Sequence, residues 1–103
     1  MAHPTRVADL NSLSPGMSTC VTFGGEKVAI FNVNGTVLAI ADTCSHRGGP
    51  LSEGEVEGTT VTCPWHGARF DLESGAALGP PAMQGVKRYE VTMKGNEILL
   101  SVP

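Results

Sequence analysis

No segment of this 103-residue chain approaches the roughly 20 apolar residues needed to span a bilayer, and the first eleven residues lack the apolar stretch of a secretory signal. A cytoplasmic protein without membrane contact is expected. Long charge runs are missing too: seven Lys and Arg against ten Asp and Glu leave a net charge of −3, mixed in sign along the chain. With no basic stripe to meet a phosphate backbone, nucleic-acid binding is not expected. There is no low-complexity block and no internal repeat, and the apolar share of 41% excludes a disordered or fibrous chain. No segment of ten or more residues carries a 3.6-residue apolar period, so helices are not expected. Cysteine is scarce and odd in number, at positions 20, 44 and 63. A disulfide framework wants an even set in an oxidising compartment, so metal binding is the better first reading.

What the chain does contain is strand patterning. Residues 27–33 and 36–41 are apolar-rich runs flanking Asn34-Gly35, a pair suited to the positive φ angles of a type I′ hairpin turn. Met17, Thr19, Val21 and Phe23 alternate upstream, and Gly24-Gly25 closes a second hairpin. Tyr89, Val91 and Met93 alternate near the end, Lys94-Gly95-Asn96 turns the chain, and Ile98, Leu100 and Val102 alternate on the way out. The fold class is all-β, antiparallel. Between residues 42 and 84 the chain is broken by Gly and Pro, with room only for short strands at 56–63 and 69–71. So long an irregular stretch inside a small domain usually carries a function. The expected organisation is one domain, 1–103, with residues 4–41 and 87–103 as scaffold and 42–84 as a site-bearing insert.

Two half-sites lie in that insert, Cys44-Ser45-His46 and Cys63-Pro64-Trp65-His66, with sixteen residues between them. Each offers one thiolate and one imidazole, and each is flanked by glycine, in Arg47-Gly48-Gly49 and in Gly67. Glycine lets backbone N–H groups approach a cluster sulfur closely. Two sulfur and two nitrogen ligands can divide by type between two metals, or surround one tetrahedral zinc. Zinc modules, however, normally separate the members of a pair by two to five residues, and the first pair here has one between. Cys20 lies in an expected strand with no neighbouring His and is read as a small buried residue or an inert thiol.

At these residues the chain resembles the Rieske iron–sulfur family: Cys-x-His, a spacer, then Cys-x-x-His followed by Gly, met by C-S-H-R-G-G-P-L and C-P-W-H-G-A-R-F-D. The resemblance implies a Rieske-like antiparallel β-sandwich or partial barrel with an inserted cluster-binding subdomain. It implies one 2Fe-2S cluster per chain, with Cys44 and Cys63 on the inner iron and His46 and His66 on the outer, more exposed one. Gly79-Pro80-Pro81 matches the family's proline-rich cover loop. High-potential respiratory members carry an extra disulfide and Ser and Tyr hydroxyls directed at cluster sulfurs. The matching positions here are Gly49 or Pro50 with Trp65, and Ala68 and Phe70, so every such donor is missing. A hydrogen bond to a cluster sulfur stabilises the added electron, so its absence implies the low-potential branch.

A free-standing chain of that branch looks like the ferredoxin component of bacterial aromatic-ring dioxygenase systems. It would be an electron carrier and not an enzyme. Its partners would be a flavoprotein NAD(P)H-dependent ferredoxin reductase and a terminal oxygenase. The small Rieske-like subunit of an assimilatory nitrite reductase is the runner-up, and a zinc-stabilised interaction module the third reading. Partners would dock where the His ligands near solvent, at residues 45–50, 64–67 and 79–82, with Trp65 as an exposed anchor. Asp42, Glu53, Glu55, Glu57, Asp71 and Glu73 would form an acidic rim, Glu53, Glu55 and Glu57 sharing one strand face.

Overall fold

Asn34 and Gly35 both take positive φ, 52° and 94°, the conformation of a type I′ turn. They join β3 (Glu26–Val33) to β4 (Thr36–Ala41) in the register Val33↔Thr36, and Gly24-Gly25 joins β2 (Ser18–Phe23) to β3 in the same manner. The computed structural model describes residues 4–43, 50–65, 67–78 and 84–102. It completes the elements with β1 (Thr5–Asp9), β5 (Glu55–Glu57), β6 (Thr60–Thr62), β7 (Arg69–Asp71), β8 (Arg88–Lys94) and β9 (Glu97–Ser101). Single 3-10 turns occupy Leu10–Ser12 and Leu51–Glu53. All pairings are antiparallel, in a six-stranded sheet of order β1-β9-β8-β4-β3-β2 and a three-stranded sheet β5-β6-β7.

β3 and β4 are the strands on which both layers rest. Val28 and Ile30 of β3, with Val37 and Ala39 of β4, pack on Leu13, Tyr89, Ile98 and Leu100. The opposite parity, Ala29, Phe31 and Ile40, packs on Leu51, Val61, Cys63, Ala68, Phe70 and Leu72. A strand buried on both faces reads as a continuous apolar run, which explains the sequence of 27–33 and 36–41. The one buried amide, Asn32, is satisfied: it donates to Leu13 O at 2.8 Å and accepts from the Gly35 N–H at 2.8 Å.

Three expectations need correction. The stretch 56–63 is not one strand, because the chain reverses at Gly58 (φ 61°) and splits it into the β5–β6 hairpin. Glu53 lies in a 3-10 turn, so only Glu55 and Glu57 share a strand face. Cys20 is exposed, because it alternates out of phase with the inward Val21 and Phe23.

Candidate metal centre

The second half-site is the loop of the β6–β7 hairpin. Thr62 pairs with Arg69, and within that pair the Cys63 N–H donates to Ala68 O at 2.7 Å. The Gly67 N–H turns back to Cys63 O at 3.1 Å. Gly67 has a φ of 75°, and among the described atoms nothing lies within 4 Å of the place a Cβ would take. Its requirement is therefore one of backbone conformation, a reason additional to the close approach expected from sequence. The loop has a buried floor and an exposed tip: Cys63 is 2% accessible and Trp65 is 57% accessible.

Around Cys63 the surroundings are apolar. Leu51, Val61, Ala68, Phe70 and Leu72 of the same cluster are all at or near complete burial. A thiolate in such a place is stabilised only in company with a cation or hydrogen-bond donors, which suits a metal ligand. The methyl of Ala68 and the ring of Phe70 both stand buried in this layer. Trp65 is exposed, as expected.

The base of the first half-site is equally well defined. Thr43 and Pro50, which flank residues 44–49 in the sequence, form an isolated β-bridge. Asp42 lies just outside it, 5% accessible, and so is no part of an acidic rim. Its N–H donates to Lys27 O at 3.0 Å, its carbonyl accepts from the Leu51 N–H at 2.6 Å, and its Oδ1 accepts from the Ser52 N–H at 2.7 Å. Leu51 then enters the cluster that holds Cys63, so one apolar layer fixes the bases of both half-sites. Glu53, Glu55, Glu57 and Glu73 are exposed, while the partly buried Asp71 accepts from the Ser74 hydroxyl at 2.7 Å.

A third segment is pinned against the second loop. Ala77 bridges to Phe70, and the Leu78 N–H donates to Arg69 O at 2.9 Å. The chain returns at Gly85, where the Val86 N–H donates to Gly75 O at 2.7 Å. A Cβ on Gly85 would fall 2.5 Å from Gly75 O, and one on Gly75 would fall 2.2 Å from Val86 O. Only paired glycines let these two backbones approach so closely.

Of the expected site residues, the structure places Cys63, Trp65, Gly67, Ala68 and Phe70 on one short hairpin. Cys44, His46, Arg47, Gly48, His66, Pro80 and Pro81 lie outside the described residues. Asp42 is the residue whose role the sequence reading missed. Its signal was its place at the end of the buried run 36–41, where an acid is out of keeping. Cys20 stands on β2 at the sheet edge, and desolvation followed by the nearby Asp42 carboxylate raises its thiol pKa. A thiol so held is disfavoured as thiolate, which supports the inert reading.

An antiparallel β scaffold thus carries Cys63 at the floor of a tight, solvent-tipped loop; among the described residues no three His, Cys, Asp or Glu come together to hold a metal, and the other three expected ligands lie outside them. The chain belongs to the Rieske [2Fe-2S] domain family, whose model matches residues 3–90. It is 33% identical to the biphenyl dioxygenase ferredoxin subunit of Pseudomonas sp. (strain KKS102) over 93% of this chain and 89% of that protein. Its structure is similar to the ferredoxin of carbazole 1,9a-dioxygenase from Nocardioides aromaticivorans IC177, with a TM-score of 0.91, 34% identity, and 97% and 98% of the two chains covered. It also matches a chain in the complex of reduced oxygenase and oxidized ferredoxin of carbazole 1,9a-dioxygenase, with a TM-score of 0.88, 28% identity, and 95% and 92% covered. The residues present fit the family's cluster, with a cysteine sulfur on an apolar floor and a loop base closed on each side.

Proposed function

We propose that this chain is a one-electron carrier of the ferredoxin type. It would pass electrons from a flavoprotein NAD(P)H-dependent ferredoxin reductase to a terminal ring-hydroxylating oxygenase. Cys44, His46, Cys63 and His66 would hold one Rieske 2Fe-2S cluster, which supplies a single reversible electron. Residues 4–41 and 87–103 would serve as scaffold and 42–84 as the insert of a single domain. The observation that carries this reading is the second loop, with Cys63 buried at its floor and Trp65 exposed at its tip.

Each neighbouring residue then has a task. Leu51, Ala68 and Phe70 exclude water from the cysteine side of the centre. Ala68 and Phe70 offer no hydroxyl to a sulfur, which keeps the potential low within the roughly −150 to +300 mV span of Rieske centres. Trp65 presents an aromatic face beside the position of His66, where an incoming protein would dock. The exposed pair Glu55 and Glu57 would favour a basic partner surface. We place the protein in the cytoplasm, where the nicotinamide donor of such a reductase is found.

Reconstitution tests the reading. The chain, with a flavoprotein reductase and an aromatic-ring oxygenase of the systems named above, should couple NAD(P)H oxidation to product formation. Turnover equal to that without the chain contradicts the proposal. Coupling to a nitrite reductase large subunit in its place would establish the runner-up.

A further inference from the structure

We propose that Asp42 is a positioning residue for the cluster, closing the base of the first ligand loop with its carboxylate and holding the reduction potential down with its charge. The proposal rests on the cluster reading above and goes beyond its ligand set.

The geometry has three parts. Asp42 is tied on both sides of its peptide, donating to Lys27 O and accepting from the Leu51 N–H, so its main chain bridges β3 and the turn after the loop. Its Oδ1 takes the next amide of that turn, Ser52. The Ser18 hydroxyl donates to Ser52 O at 2.6 Å, which anchors the turn to β2 as well. The chain after residue 50 is therefore returned to the scaffold by two bonds to Asp42, by the adjacent Thr43–Pro50 bridge and by the Ser18 bond. Cys44 and His46 follow Asp42 in the sequence, between the two ends of this clasp.

These hydrogen bonds ask only for an oxygen acceptor, and an asparagine side chain has one. The carboxylate adds a negative charge at a site 5% accessible. Among the described residues no cation stands within ion-pair distance of it. A charge that the loop closure does not require acts on its surroundings, the Cys20 thiol of β2 among them. Chain geometry keeps the Cys44 Cα within about 7 Å of the Asp42 Cα. A fixed negative charge that near opposes the uptake of an electron.

The two roles separate by substitution. Asp42→Asn keeps the acceptor and removes the charge; it should raise the midpoint potential, with iron content and the rate of iron loss to a chelator unchanged. Asp42→Ala removes both; it should raise the potential and also speed chelator-driven loss roughly tenfold. Asp42→Ser, neutral with a shorter acceptor, must shift the potential the same way and so decides the matter if the Asn variant fails to fold. A neutral variant that binds two irons at the parent's midpoint overturns the charge role, and an Ala variant that holds iron as long as the parent overturns the clasp. A parent chain without iron overturns the cluster reading itself, an outcome distinct from either.

Discussion

Ala68→Ser places one oxygen in the layer that covers Cys63, and its consequences follow from burial. Ala68 is wholly inaccessible and shares its apolar cluster with Cys63, Phe70 and Leu51. A hydroxyl there either finds a sulfur or is stranded. A stranded hydroxyl costs about 1–3 kcal/mol by mutational measures. At roughly 4–8 °C per kcal/mol for a domain of this size, that is a fall in Tm of several degrees or more. A hydroxyl that meets a sulfur offsets that cost and favours the reduced, more negative cluster. If the bond is stronger by about 1–1.4 kcal/mol in the reduced state, the one-electron potential rises by roughly 40–60 mV. Protein-film voltammetry and thermal melts on parent and variant read the two coordinates together. The expected result is a raised potential with little change in Tm. A variant whose structure shows the hydroxyl on a sulfur, at the parent's potential, refutes the reasoning about missing donors.

Trp65→Ala should leave the visible spectrum and the Tm unchanged, because the side chain is mostly exposed, while slowing electron transfer to the oxygenase; stopped-flow rates equal to the parent's would move the docking surface elsewhere. Gly85→Ala should cost about 1–3 kcal/mol in a denaturant melt, since the added Cβ meets the backbone of Gly75 and Ala76, which cannot swing aside. Tyr89, whose hydroxyl donates to Glu26 at 2.9 Å, has its pKa pushed up to about 12 by burial first and by the Glu26 carboxylate second. Its contribution to stability is fully present below the unfolded value of about 10 and is lost as pH rises from there through 12. Ultraviolet titration of this sole tyrosine checks the pKa, and Glu26→Gln should bring it down.

The hairpins were legible because their information is local. Asn34-Gly35 and Gly24-Gly25 specify turns by conformational preference, and the flanking apolar runs specify burial. β1 was not legible, because Thr5–Asp9 has no apolar alternation and becomes a strand through its pairing with β9 at the far end of the chain. At the site, the exposure of Trp65 was legible from its place in a short loop. Asp42 was misread as a rim acid because its burial comes from Lys27, Leu51 and Ser52, contacts that only the folded chain brings together. Cys20 carried its own signal, opposite in phase to Val21 and Phe23, and that alternation outweighs the general tendency of cysteine to be buried.

Metal and sulfide analysis of the purified chain, with low-temperature EPR before and after dithionite, bears most directly on the claim that two Cys and two His hold one cluster. The account predicts about two irons and two acid-labile sulfides per chain, EPR-silent as oxidised, with a low-average-g signal on reduction from an iron ligated by nitrogen. One tetrahedral zinc per chain and no iron would contradict it.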